Sequence, residues 1–403
     1  MKSLTSTLLT TAALAVMAHA AAAQDADPIR VAQITTISGG FPFGDTVPGA
    51  QSYFNMVNEA GGINGHMIEF SFGDDKGQAS EAAQLARKFV LQDGVVAFIG
   101  NTSLADCDTN RAFYEGQNIG VIGGGPQPSC FMQPNWMPVN TGPYLGHLAN
   151  WEYLFNVIQP TSVCIIEQND ATSQPTYEAL LDWYLEQHPD INVVLETYTN
   201  DASQNPTPAV TAALQAGCDA VTLSTVAPNA VAFMRAAEAV GLDATFMSLG
   251  SVYDASVPEA LGPLGEPGGL GPNGKGFFVG AELAEIGSGT PQINEMLAQF
   301  EKDGVSANFW SQIGWLSAMV FVEALKQSPD ADVTTSAGVL EALRAMQPFD
   351  SGFAATPMVF GPGDRHSPNQ GVQMLMIQDG QWTIAPGQNN GNYTAIPAVP
   401  DFL

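Results

Sequence analysis

The chain alternates short apolar runs with longer segments of helical spacing. Arg30–Ile34 reads as a buried strand, and a Gly/Pro-rich loop, Ser38–Gly44, follows it. From Val47 to Ala60 the apolar residues Ala50, Tyr53, Phe54 and Val57 recur at helical intervals, and Gly61-Gly62 stops the helix. Met67–Phe72 alternates as a strand. Ser80–Gln92 offers Ala83, Leu85, Phe89 and Leu91 for packing as a helix, and Val95–Ile99 is an apolar run between Gly94 and Gly100. Helix Ala105–Gln117 and strand Gly120–Ile122 continue the pattern. Strands separated by helices of about 10–15 residues imply βαβ units and a parallel sheet.

The rhythm restarts after Pro143. Helices are expected at Leu145–Val157, Thr176–Gln187, Pro208–Ala216 and Pro228–Val240, and strands at Ser162–Glu167, Ile191–Thr197, Ala220–Ser224 and Thr245–Ser248. Pro228 suits a first helical turn, where its missing N–H costs nothing. A Gly/Pro-rich connection, Leu261–Gly276, leads to strand Phe277–Ala281. Helices Gln292–Asp303 and Phe309–Gln327 follow, and strand-like segments Met358–Phe360, Val372–Gln378 and Trp382–Ile384 close the chain. Two successive modules of one rhythm predict two α/β lobes. A length of 403 residues supports two cores, since single cores stop growing near about 250–300 residues.

Charge narrows the partners. Twelve Lys and Arg against 40 Asp and Glu give a net charge of −28, which excludes nucleic acid and anionic membranes, both of which need a basic face. The first residues read as a cleaved signal peptide, Met1–Ala23. Lys2 supplies its positive end, Leu8–Ala18 its apolar stretch and Ala21-Ala22-Ala23 its small-residue cleavage site. That stretch is shorter than the roughly 20 residues that span a bilayer. No Cys stands at the cleavage site to take a lipid, so an exported, soluble protein is expected.

Motifs for catalysis are weak or missing. Gly269-Leu270-Gly271-Pro272-Asn273-Gly274 fits the spacing of a dinucleotide loop, but it neither follows a strand nor opens a helix and holds a Pro. The histidines His19, His66, His147, His188 and His366 have no metal-ligand spacing, and no C-x-x-C or G-x-S-x-G occurs. No enzyme activity, cofactor or metal is expected. Asp74-Asp75 reads as a solvated acidic pair at a strand end. Cys107, Cys130, Cys164 and Cys218 allow three pairings in an oxidising compartment, and Cys164 and Cys218 read as buried thiols.

A resemblance appears at the first helix end. Asn58-Glu59-Ala60-Gly61-Gly62-Ile63-Asn64-Gly65 resembles the N-x-x-G-G-I-x-G signature of periplasmic leucine/isoleucine/valine-type binding proteins, the substrate receptors of ABC importers. Other pieces fall in the same order: Val31-Ala32-Gln33 with Ile37-Ser38-Gly39, Asp74-Asp75, Asp93 to Gly100, and Phe360-Gly361-Pro362-Gly363-Asp364. The glycine pair itself reads as a helix stop rather than part of a site. The resemblance implies the type I periplasmic-binding-protein fold: two Rossmann-like lobes joined by three crossing segments, with the ligand between them at the strand carboxyl ends. Lobe 1 is then expected at 27–139 plus 283–371 and lobe 2 at 140–282 plus 372–403. It further implies a monomeric periplasmic receptor that closes on a small-molecule ligand and presents it to an inner-membrane permease.

By position, the family's site maps onto Phe43 as an aromatic cover and onto Asn101, Thr102, Ser103 and Leu104 at a helix start suited to a carboxylate. It also maps onto the turn Gly124, Gly125, Pro126 and Gln127. From lobe 2 it takes Asp170 and Thr172, then Thr225 and Val226, then Gly250 and Tyr253. The same arrangement brings Cys107 and Cys130, beside neighbouring strand ends, within disulfide reach. Three departures stand out: Leu104 replaces a usual Ser, Thr172 a usual aromatic residue, and Gly250 the acid that holds a ligand ammonium. An unpaired buried ammonium is costly, so the ligand is expected to be an amino acid helped by Asp254 or Asp170, or a carboxylate or amide without an ammonium. Signalling sensors and exported enzymes on the same fold are the alternatives.

Overall fold

The apolar run Ile29–Thr35 forms β1, buried throughout except at Arg30, as a central parallel strand covered on both faces must be. The computed structural model describes residues 26–39, 41–168, 174–199, 205–387 and 393–396; Met1–Ala23, Asp170 and Thr172 lie outside them. After β1 come α1 (Thr46–Glu59), β2 (Ile68–Asp74), α2 (Ala79–Leu91), β3 (Ala97–Asn101), α3 (Asp106–Gln117), β4 (Gly120–Gly123), a single turn α4 (Pro128–Phe131) and β5 (Trp136–Pro138). These strands pair parallel in the order β2-β1-β3-β4-β5. Gly61 and Gly62 leave α1 through φ of 100° and 75°, and a Cβ on Gly62 would lie 2.1 Å from the carbonyl oxygen of His66. That closeness is why the helix stop needs glycine.

The second module runs α5 (Pro143–Tyr153), β6 (Val163–Gln168), α6 (Gln174–Gln187), β7 (Val193–Thr199), α7 (Thr207–Ala216), β8 (Ala220–Leu223), α8 (Ala227–Val240), β9 (Thr245–Leu249), α9 (Ser256–Leu261) and β10 (Phe277–Ala281). Its sheet has the order β12-β11-β10-β9-β8-β6-β7. The late strands β11 (Gly371–Gln378) and β12 (Gln381–Ile384) pair antiparallel at one edge. Where the sequence suggests one helix to Val157, α5 ends at Tyr153 and passes into a π-turn, Leu154–Ile158, closed by Gln159 at φ 55°. The expected two-lobed α/β architecture is the one found.

Between β10 and β11 the chain returns to the first sheet with α10 (Pro291–Asp303), α11 (Phe309–Gln327) and α12 (Ser336–Ala345). Thr290 and Asn308 cap the first two with their side chains, satisfying helix-end N–H groups. Helices α1 and α11 cross through reciprocal glycines. A Cβ on Gly49 would lie 2.1 Å from the Ser311 carbonyl oxygen, and one on Gly314 2.0 Å from that of Thr46. The crossing places the start of α11 beside the loop that precedes α1.

Two disulfides staple the modules. Cys107–Cys130 joins α3 to α4 with a Cα separation of 5.2 Å. Cys164 and Cys218, expected as free thiols, are also bonded, at 5.8 Å. The turn from α7 into β8 carries Cys218 over β6, a proximity that 54 residues of separation conceal. Asp75 is also corrected: instead of a solvated acid it is fully buried, accepting hydrogen bonds from Thr36 Oγ1 at 2.8 Å and from the Ser103 hydroxyl. The Gly269–Gly274 loop wraps a protein carboxylate, since Asp243 Oδ1 accepts from the N–H of Asn273 and Gly274, both at 2.9 Å.

Candidate functional site

Three passages of chain link the sheets, and one residue ties them together. Gly142 N–H donates to Glu282 Oε2 at 2.7 Å, Asn369 Nδ2 donates to the Glu282 carbonyl at 2.5 Å, and Thr141 Oγ1 donates to the Gly371 carbonyl at 2.9 Å. Beside this junction lies a cavity of about 650 Å³, its open mouth included. Many of its wall residues lie at or just after strand ends, where the strand carboxyl ends of an open α/β sheet leave a crevice.

From the first lobe, Phe43, Thr102, Leu104, Gly124, Gly125 and Pro126 line it; from the second, Thr225 and Val226. These eight were singled out from the sequence and come together. Added Cβ atoms would lie 2.8 Å from Thr102 Oγ1 at Gly124 and 2.6 Å from the Phe131 ring at Gly125. The turn is therefore bare because its surroundings leave no room.

The other predicted positions serve elsewhere. Asn101 is scaffolding: its Oδ1 accepts from Ile34 N–H at 2.9 Å and its Nδ2 donates to Asp106 Oδ2 at 2.8 Å. Ser103 turns inward, and its hydroxyl accepts from the N–H of Ala105 at 2.9 Å and Asp106 at 3.1 Å. The helix start expected to receive a carboxylate is thus filled by the protein and backed by two buried acids, Asp75 and Asp106. Burial pushes Asp106 up to about 6 against the hydrogen bonds it accepts from Asn110, Tyr114 and Asn101. Gln127 is buried ahead of α4 and does not line the cavity. Tyr253 lines the outer mouth with Asp254, its hydroxyl accepting from Ile286 N–H at 2.8 Å.

Gly250 stands off the cavity wall. A Cβ there would lie 3.1 Å from the backbone nitrogen of Glu282 and 3.3 Å from the Phe309 ring. A side chain at that position would crowd its neighbours, and the adjacent strand is followed by an acid. Glu282 is 3% exposed and lines the cavity. Burial pushes its carboxyl up to about 7, opposed by hydrogen bonds from Gly142, Asn140 and Thr141 and by His147. The reason for excluding a ligand ammonium therefore falls away.

Sequence reasoning also missed the aromatic walls. Trp310 packs on Phe43 with ring centroids 4.8 Å apart and on Phe309 at 4.7 Å. Tyr177 lines the cavity from α6, its ring tilted against Tyr144 at 4.8 Å and its hydroxyl 3.4 Å from Ser224 Oγ. Phe309 and Trp310 open a helix more than 260 residues after Phe43, so no local signal linked them. Behind Tyr177, His147 Nε2 lies 3.3 Å from Glu167 Oε2, both fully buried.

The comparisons agree with this geometry. The family model described as periplasmic binding protein matches residues 28–381. A Leu/Ile/Val-binding protein homolog of Brucella suis is 25% identical over 221 residues, which is 53% of this chain and 58% of that protein. An amino acid binding protein of Pseudomonas aeruginosa is 26% identical over 278 residues, 67% of this chain and 71% of that one. The chain thus spans 58% of the length of the Brucella suis relative. Among solved structures, a branched-chain amino acid ABC transporter protein of Thermus thermophilus with bound valine superposes with a TM-score of 0.75 at 16% identity, covering 89% of this chain and 95% of that one. A branched-chain amino acid substrate-binding protein of Streptococcus pneumoniae in complex with isoleucine gives 0.72 at 15%, covering 88% and 97%. These likenesses carry the fold. With its family match running from the first strand to the last sheet edge, this chain belongs to the periplasmic binding protein family.

Proposed function

We propose that the protein is the solute receptor of an ABC importer, which captures a small organic molecule between its lobes and delivers it unchanged to a membrane permease. The observation that carries this reading is the cavity itself, walled by Phe43 and Thr102 on one side and Thr225 and Val226 on the other. A ligand touching both walls favours the closed arrangement by its differential contacts with it. Lobe 1 (27–139 plus 283–371) and lobe 2 (140–282 plus 372–403) move as bodies about the crossings near Thr141, Glu282 and Gly371. Export to the periplasm follows from the Met1–Ala23 leader, and the capture cycle needs no covalent step, so the protein is not an enzyme.

The test is a thermal-shift screen of small metabolites with small-angle scattering on each hit. A ligand at about 100 times its Kd stabilises by about 2.7 kcal/mol, and closure lowers the radius of gyration. Stabilisation without contraction, or recovery of a chemically altered ligand, overturns the reading.

A further inference from the structure

The chemistry of the cavity points to one ligand class. Among the described residues, Glu282 is the single carboxylic acid on its wall, and no Lys, Arg or His lines it. The carboxyl receives N–H donors from Gly142, Thr141 and Asn140, and His147 is the one basic group that acts on it. Among the described residues the Lys and Arg ion pairs lie on the surface, as at Arg30–Glu69 and Lys302–Glu59. The nearest imidazole, His147, stands against a second buried acid, Glu167. A buried carboxyl with no Lys, Arg or His beside it on the cavity wall favours its charged form when a ligand brings the counter-charge.

On the first-lobe wall, several N–H groups that would welcome an anion are already engaged. Ser103 Oγ occupies the N–H groups that open α3. Gly124 N–H donates to the Asn101 carbonyl at 2.9 Å, and Gly125 N–H to Asn140 Oδ1 at 2.8 Å. Buried Asp75 lies directly behind Ser103. Meanwhile the rings of Phe43, Tyr177 and Trp310 line the cavity, and aromatic rings attract cations and apolar bodies alike.

We propose that the solute is a small organic amine, an ammonium on an apolar body without a carboxylate, and that Glu282 is the residue that selects it. This rests on reading the cavity as the receptor's binding site. It replaces the acid absent at Gly250 with one that follows the adjacent strand.

The experiment is calorimetry on the leader-free chain with four probes of one carbon skeleton: isopentylamine, isopentanol, 4-methylpentanoate and leucine. Isopentylamine is expected to bind at least tenfold more tightly than the other three. Glu282→Gln is expected to weaken the amine at least tenfold more than it weakens the alcohol, whatever common effect it has through the crossings. Should that variant not fold, Trp310→Leu keeps the apolar wall but removes the π face, and is expected to weaken the amine severalfold more than the alcohol. Tightest binding of leucine or 4-methylpentanoate overturns the amine assignment while leaving the receptor reading intact, provided scattering reports closure. No binding by isopentylamine, or equal binding in Glu282→Gln, also overturns it. Failure of the wider metabolite screen would instead count against the receptor reading.

Discussion

The carboxylate of Glu282 accepts a hydrogen bond from Gly142 N–H at 2.7 Å, joining the second passage between the lobes to the first. The same residue's carbonyl accepts from Asn369 in the third. One side chain therefore sits both at the hinge and on the cavity wall. A change of charge or partner at this carboxyl acts on the crossings directly, without a relay through the lobes.

That position gives a pH signature. Burial raises the carboxyl to about 7, against an ordinary value of about 4.3. The groups facing it are the Asn140–Gly142 segment and His147, with Glu167 beyond. Because the folded state binds more protons than the unfolded one in this window, the contribution is intact below pH ~4.3 and is lost as pH rises through about 7. The loss amounts to roughly 3–4 kcal/mol. Glu282→Gln abolishes it, so the ligand-free variant is expected to gain on wild type in urea melts between pH 5 and pH 8. His366, whose imidazole burial holds below its usual range, works in the opposite sense and cancels in that difference. An unchanged difference across the series would show that the carboxyl titrates normally.

The glycine crossing of α1 and α11 gives a second prediction. An added methyl at Gly314 meets the Thr46 carbonyl oxygen at 2.0 Å, so the helices must separate. Gly314→Ala is expected to cost about 3 kcal/mol by overpacking. Because Trp310 rides on α11 against Phe43, it is also expected to weaken ligand binding. Gly116 is the control: it lies in α3, and a Cβ there would meet nothing within 4 Å. Gly116→Ala is expected to stabilise by about 0.5–1 kcal/mol. Denaturant midpoints and calorimetric titrations of both variants check this.

The disulfides each close a loop within one lobe, and neither spans the hinge. Their sequence separations are 23 and 54 residues. Loop-closure entropy then gives losses of roughly 3 kcal/mol for Cys107→Ala/Cys130→Ala and roughly 4 kcal/mol for Cys164→Ala/Cys218→Ala. Urea titrations should rank them in that order. Ligand-induced contraction in scattering should survive in both, since the crossings carry no cysteine.

Local pattern made most strands legible because parallel strands buried on both faces are bare apolar runs. Helix Phe309–Gln327 was legible end to end, since its apolar positions persist over 19 residues. β5 at Trp136–Pro138 was not, being three residues with a terminal proline, and α12 at Ser336–Ala345 was also missed. The cavity was legible where a residue directly follows a strand, as at Thr102 and Thr225. Glu282 follows one too, yet no sequence signal says that a carboxyl at the end of Phe277–Ala281 faces inward. Trp310 reaches the cavity only through the α1–α11 crossing, and the reciprocal glycines that set it are meaningful only once both helices are in place.

Asp106 gives the last prediction. Its Oδ1 accepts from Asn110 Nδ2 at 2.6 Å and Tyr114 Oη at 2.7 Å, and its Oδ2 from Asn101 Nδ2 at 2.8 Å. An asparagine keeps one acceptor oxygen and turns an NH2 group toward a donor, leaving at least one buried donor without a partner. Such an orphaned group costs about 1–3 kcal/mol. Asn101 in turn holds Ile34 of β1, so the damage spreads to the sheet beneath Thr102. Asp106→Asn is therefore expected to lower the melting temperature, with the deficit growing as pH falls through about 6, where the native carboxyl takes up a proton that the unfolded chain does not yet bind. A deficit that stays constant from pH 8 to pH 5 would mean that charge at this position is irrelevant and that only its shape matters.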